Sequence, residues 1–224
     1  MSKNNETVDR VQMVWNMIGG DSVVDAIKAG QAKIVVEWLK QPEIDFSVWT
    51  VFYQKYFGLT TAFLGPKIPP KPTDGNWRLL VILRELTNNQ VYSVCEKQFP
   101  CWKYTDNLDK AVPTSERDPQ NGSYAIWVRD IVEADPVHKN KSANMIKEVG
   151  LKTETLLERM IHELVYFSET GKHLDVSNVT LCSGSRYSGG GVPGAYWGDD
   201  GFGVYWYRAD YRNAGLRPRE AVTL

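Results

Sequence analysis

Few side chains in this 224-residue chain are of types and spacings that do chemistry. Its three histidines, His138, His162 and His173, lie far apart and lack the i, i+4 pairing of a helical zinc site. Glu158 and His162 fall one turn apart on an expected helix, and a pair on the helix surface accounts for them. Three cysteines, Cys95, Cys101 and Cys182, make no disulfide framework and fit a reducing compartment, with a Cys95–Cys101 bridge left open. Asp199 and Asp200 are adjacent but offer too few oxygens for calcium, and serve equally well as turn residues. No GxxxxGK[ST] occurs, and the glycine-rich "SGSRYSGGG" is not followed by a helical pattern, so no phosphate cradle is expected. Neither a metal nor a cofactor is expected.

The exception is 187–215, "YSGGGVPGAYWGDDGFGVYWYRADYRNAG". It holds five of the eleven tyrosines and eight of the eighteen glycines, and no Lys, Glu, Gln, Met, Leu, Ile or Thr. Tyrosine offers a large, rigid, half-polar contact surface with two χ angles to freeze, while Gly, Ser and Asn supply adaptable turns. That is the composition of an antibody paratope, and Tyr, Trp and Arg are the residues that most often carry binding energy. Alternation in "FGVYWYR" puts Phe202, Val204 and Trp206 on one face and Gly203, Tyr205 and Tyr207 on the other. The first face reads as core, the second as solvent-facing. Arg208 and Arg212 are offset by three aspartates, so no electropositive groove for nucleic acid is expected.

The elements that must carry this stretch are partly legible. Residues 6–18 and "VVDAIKAG" read as helices, and "AKIVVEWL" as a strand. "FSVWTVFYQKYFG" (46–58) is aromatic throughout and fits helix or strand. "GPKIPPKPTDGN" (65–76), with four prolines, reads as a connector. "WRLLVILREL" is a buried strand or helix, and polar "TDNLDKAVPTSERDPQNG" (105–122) a second boundary. Tyr124–Arg129 alternates as a strand does. "SANMIKEVG" is a short helix capped by Ser142, and 153–171 is the strongest helix, with a Thr cap, apolar residues at 3/4 spacing and Gly171 as its stop. "VTLCSGSR", Ala195–Trp197, Phe202–Tyr207 and Leu216–Val222 read as strands, the middle two joined through "GDDG" as a hairpin.

Net charge of −1, 42% hydrophobic and 24% charged residues describe an ordinary globular chain, with eight tryptophans as the outlier. No basic-then-apolar leader and no run approaching 18 apolar residues is seen, so cytoplasmic synthesis without a membrane span is expected.

The frame "CSGSR…VP…W…F.V.W…R..GLRPREAV" resembles the C-terminal region of variable proteins of diversity-generating retroelements, across about 122–224 and most strongly over 180–222. Leu216 stands where that family often has Phe. The resemblance implies a C-type lectin fold, related to the formylglycine-generating enzyme, that displays changeable side chains on a fixed frame. Variable codons in that family descend from Asn codons by adenine randomisation and cannot encode Lys, Glu, Gln, Met or Trp. The stretch 187–215 has none of the first four, and its tryptophans must then be fixed. Carried over by position, the resemblance implies variable, ligand-contacting residues at Tyr187, Ser188, Gly189, Gly191, Gly194, Tyr196, Gly198, Asp199, Asp200, Gly203, Tyr205, Tyr207, Asp210, Tyr211 and Asn213. It implies fixed frame at Cys182, Arg186, Val192, Pro193, Trp197, Phe202, Val204, Trp206, Leu216 and Arg217.

The expected fold class is α+β: a C-terminal C-type lectin-like domain at 122–224, with two helices and short antiparallel strands, after an α/β support or attachment region at 1–121. The expected function is non-enzymatic display of a retroelement-diversified surface to a protein or glycan ligand, with virion association or surface display implied. The rival is an enzyme, formylglycine-generating-like or of another α/β fold, whose substrate cleft 187–215 would line. A formylglycine-type oxidase needs paired thiols, and this region has only Cys182, read as a buried structural thiol.

Overall fold

The computed structural model describes residues 45–59 and 66–224. The helices and strand expected before residue 45 lie outside them. One compact unit runs from Ser47 to Leu224, and its class is mixed α+β. The boundary expected at 121/122 falls inside this unit. Strand β1 (Trp77–Ile82) pairs along its whole length with β4 (Tyr124–Arg129), and β2 (Cys101–Lys103) pairs with β8 (Gly201–Tyr207), so strands from both sides of that point share sheets.

Among the described residues, three sheets organise the unit. The first has the order β1-β4-β10, with β10 at Ala221–Val222, all antiparallel. The second has the order β2-β8-β7-β5-β9, with β5 at Val179–Leu181, β7 at Val192–Gly198 and β9 at Leu216–Arg217. It is mixed: β7 is antiparallel to β8 and β5, while the edge strands β2 and β9 run parallel to their neighbours. The third pairs β3 (Thr114–Ser115) with β6 (Ser185–Arg186). The single strand expected over Leu216–Val222 is two, in different sheets. Pro218 between them has no N–H to continue a ladder.

Helix α1 (Ser47–Phe57) settles the ambiguous aromatic run, burying Trp49, Phe52 and Tyr53, whose hydroxyl donates to the Val81 carbonyl at 2.7 Å. After it, Trp127 Nε1 donates to Pro69 O at 2.8 Å and pins the proline-rich connector to β4. Helix α2 (Asn88–Gln98) opens on a Thr87–Gln90 capping box and buries Val91, Tyr92, Val94 and Cys95. Short helices α3 (Leu108–Ala111) and α4 (Ala143–Glu148) follow, the latter capped by Ser142 as expected. Central helix α5 (Leu156–Thr170) packs on α2, β1 and β7. A Thr155–Glu158 capping box starts it and Gly171, in the left-handed region, ends it. Unlike an ordinary amphipathic helix, its first ten residues are buried on every side. The pair Glu158–His162 is thus not on the surface: both are fully buried, and each binds a partner outside the helix. All three cysteines are free, so the Cys95–Cys101 bridge is absent.

Candidate functional site

The β7–β8 hairpin separates core from solvent one residue at a time. Opposed residues on antiparallel strands point to the same face. Ala195 stands opposite Val204 and Trp197 opposite Phe202, while Gly194 stands opposite Tyr205 and Tyr196 opposite Gly203. Ala195, Phe202 and Val204 are fully buried; Tyr196, Tyr205 and Tyr207 are half-buried. Asp199 and Asp200 form the exposed two-residue loop, closed by Gly201 at φ +100°. A Cβ at Gly201 would lie 2.2 Å from the Pro100 carbonyl oxygen, so only glycine lets this turn dock beside the edge strand.

On the outer face the glycines make a floor and the phenols lie across it. A Cβ at Gly194 would come within 2.5 Å of the Tyr207 ring, and one at Gly198 within 2.8 Å of the Tyr196 ring. Rings touch in series: Trp102 lies 4.3 Å from Tyr205, Tyr205 lies 5.5 Å from Tyr196, and Tyr207 stacks on Tyr211 at 5.9 Å and 6°. Asn213 Nδ2 donates to the Tyr211 hydroxyl at 3.1 Å. These side chains, with the facing segment 176–179, bound an open groove of about 540 Å³. Among the described residues no Lys or Arg lines it, and Asp199 and Asp200 sit at its rim. Burial, together with neighbouring phenols, holds the Tyr196 and Tyr207 hydroxyls above the ordinary tyrosine range. They stay neutral at physiological pH, able both to donate and to accept hydrogen bonds. The groove suits a neutral or cationic ligand with apolar faces better than a polyanion.

Not every expected contact residue gathers here. Tyr196, Gly198, Asp199, Asp200, Gly203, Tyr205, Tyr207 and Asn213 line the groove, with Gly194 beneath and Tyr211 stacked alongside. Gly189, Gly191 and Asp210 line a separate shallow concavity of about 340 Å³ with Trp206 and Arg208. There Arg208 grips Asp210 through two bonds, at 3.0 and 2.7 Å. Tyr187 and Ser188 lie on the β6–β7 loop, with Ser188 N donating to Ala111 O at 2.9 Å.

Among the expected frame residues, Cys182 and Val192 are buried, as are Pro193 and Leu216, while Arg186 and Arg217 are half-buried. Trp206 corrects the sequence reading: it is 42% exposed, not core. Alternation assigns it the face of Phe202 and Val204, but β8 by then has run past the core's edge. Its ring meets the edge of Tyr104 at 5.9 Å.

Behind the hairpin lies a charged layer that sequence reasoning missed. Asp175, at φ +55° and fully buried, accepts from Arg159 Nε (2.9 Å), Arg219 Nη2 (2.7 Å), Ala134 N (2.8 Å) and the Thr180 hydroxyl. The two guanidinium groups hold its carboxyl below the usual range despite burial. Arg159 also donates to Glu163 (2.8 Å), and Glu163 bonds His173 Nδ1 (2.9 Å). The His173 ring is stacked on Trp197 at 11°, and Trp197 N donates to Asp175 O at 3.1 Å. Buried ion pairs thus run from the helix to the underside of β7 and fix the hairpin that carries the tyrosines.

Trp102 and the 176–179 segment also escaped the sequence reading, because the β2–β8 pairing brings the first to the groove and the β5–β7 pairing the second. The chain matches no protein-family model, no curated protein and no solved structure. Among the described residues, no helix is long and apolar enough to cross a membrane.

Proposed function

We propose that the unit containing 122–224 is a C-type lectin-like display domain, non-enzymatic, whose tyrosine-walled groove binds a protein or glycan ligand. We infer further that a retroelement diversifies the groove. The observation carrying this reading is the division within one hairpin. Positions read as variable (Tyr196, Asp199, Asp200, Gly203, Tyr205, Tyr207) line one groove, while Ala195, Phe202 and Val204 are sealed behind it. Exchange of side chains on the open face leaves the core residues in place, as a display surface requires. The groove's ionisable groups are phenols and turn aspartates, whereas the buried acids Glu154 and Asp175 do not line it. That favours recognition over acid–base chemistry.

The test is genomic and then biochemical. A near-copy of the segment coding for 180–222, carrying adenines at the differing positions and lying beside a reverse transcriptase gene, is expected. Sister genes that differ at all bases and at scattered sites would sink the retroelement reading. For binding, a library randomised at Tyr196, Tyr205 and Tyr207 should yield folded variants with altered ligand preference. Loss of one fixed activity across the whole library would point instead to an enzyme.

A further inference from the structure

Away from the groove, three metal-ligating side chains converge from two segments distant in sequence. Asp135 and His138 bracket a 3₁₀ turn (Pro136–His138), and Glu220 immediately precedes β10. Their donor atoms all lie within 4.8 Å of one another. None of the three lines the tyrosine groove.

Satisfied polar packing does not account for this cluster. His138 is only 8% exposed, yet neither ring nitrogen has a hydrogen-bond partner. Asp135 is fully buried at the N-cap of the turn but makes no side-chain cap. Its Oδ2 accepts from Glu220 N at 2.7 Å, while Oδ1 is buried without a partner. Buried polar atoms are nearly always bonded, and each orphan keeps its desolvation cost uncompensated. The orphan Asp135 oxygen and one orphan nitrogen of His138, facing the Glu220 carboxylate, are what a bound cation would satisfy, since an imidazole ligates one ion through one nitrogen.

We propose that Asp135, His138 and Glu220 bind one divalent transition-metal ion of the zinc type, with water completing its shell, and that the ion ties β10 to the segment between β4 and α4. One imidazole with two carboxylates is a donor set for Zn²⁺, Mn²⁺ or Co²⁺, whereas Ca²⁺ and Mg²⁺ favour oxygen alone. Bond lengths near 2.0 Å require donors roughly 3.3 Å apart. Closing the remaining gap takes a turn of the imidazole and of the long Glu220 side chain. The backbone beneath is already fixed, with Glu220 N on Asp135 and residue 220 bridged to Thr153.

The ionisation states agree with this geometry. Burial, with Lys141 and Arg129 nearby, lowers the His138 pKa and leaves the ring neutral, as a ligand must be. Burial pushes the Asp135 carboxyl up to about 6, against the pull of Glu220 N and the Arg219 charge, with Glu154 adding to the rise. A cation would reverse that rise. Arg129 is bonded to Asp74, and Arg219 to Asp175, Thr180 and two carbonyls, so neither closes the site as a salt bridge.

The experiment uses untagged full-length chain stripped with chelator, titrated with zinc chloride by calorimetry, with Co²⁺ absorption as a second readout. Saturable binding of about one Zn²⁺ per chain and a rise in melting temperature are expected, with Mg²⁺ giving neither. His138→Ala and Glu220→Gln, each checked by circular dichroism, should weaken Zn²⁺ at least about tenfold and abolish the melting shift. Glu220 is half-buried, so its variant keeps the test alive if the histidine variant does not fold. No saturable zinc binding by the wild type, or unchanged affinity in any folded variant, overturns the site.

Discussion

The two sides of the β7–β8 hairpin handle polar atoms in opposite ways. Behind it, Asp175 uses both carboxylate oxygens on Arg159, Arg219, Thr180 and a backbone N–H, at no solvent exposure. In front, Tyr196, Tyr205, Tyr207 and Tyr211 contact one another's rings and keep part of each side chain in water. A desolvated ion network tolerates little change, because removing one member strands the others in low dielectric. A face of half-exposed rings over a glycine floor loses little when one ring is replaced. The rear is thus built for one arrangement and the front for many.

The contrast is tested most harshly at Asp175. Asp175→Ala leaves Arg159 and Arg219 buried and under-compensated, and should destabilise by about 3–5 kcal/mol in urea unfolding. Loss below about 1 kcal/mol would mean the layer is not desolvated. Phe202→Ala empties a fully buried ring site next to Phe99 and Arg159, and should cost about 3–5 kcal/mol.

Next in size is a pH effect. Burial pushes the fully buried Glu154 carboxyl from 4.5 up to about 8, with Arg219 and Arg159 opposing. Between those values Glu154 holds a proton in the native chain that it lacks in the unfolded one, so its contribution to stability falls as pH rises through that window. Buried His162, its pKa lowered, contributes in the opposite sense at the acid end. The Asp175 carboxyl, lowered by its arginines, works the other way: its contribution is present above the unfolded carboxylate pKa and fades as pH drops below it. Glu154→Gln mimics the protonated form beside His162 and should flatten the decline between pH 5 and 8, worth about 2–4 kcal/mol at the alkaline end. Chemical denaturation of both chains across that range measures it, and parallel curves would exclude the assignment.

What the sequence disclosed follows the same division. Helix α5 was legible because Thr155, Glu158 and Gly171 mark its ends and Leu156, Leu157, Met160, Ile161 and Leu164 recur at helical spacing. The hairpin was legible from strict alternation around "GDDG", and the tyrosine groove with it. Its counterpart behind was not, because Arg159, His162 and Glu163 look like the wet side of an amphipathic helix. Only tertiary partners from Glu154, Asp175 and Arg219 make their burial tolerable, and hydropathy carries no trace of those. Helix α2 and the edge strand β2 went unread because "NNQVYSVCEKQ" is polar and three-residue strands give no period. Trp206 marks the limit of alternation itself: it assigns a face but not how far the core extends beneath it.

The smallest effects on stability are expected on the open face, and there the comparison can be sharpened residue by residue. Trp206→Ala, Tyr205→Ala and Trp102→Ala each remove a partly exposed ring, and each should shift unfolding free energy by no more than about 1 kcal/mol. Their effects on binding should diverge. Tyr205 and Trp102 stack at 4.3 Å within the groove, so either change should weaken a groove ligand by about 1–3 kcal/mol, and the double variant by less than the sum. Trp206 lies in the other concavity and should leave that ligand's affinity within about twofold. Calorimetric titration of the wild type and these four variants against one groove ligand selected from a display library separates the outcomes. A Trp206 loss as large as that of Tyr205 would merge the two concavities into one site. Strict additivity of Tyr205 and Trp102 would mean that the stacked pair does not act as a unit, and that the fixed edge strand contributes to binding independently of the changeable face.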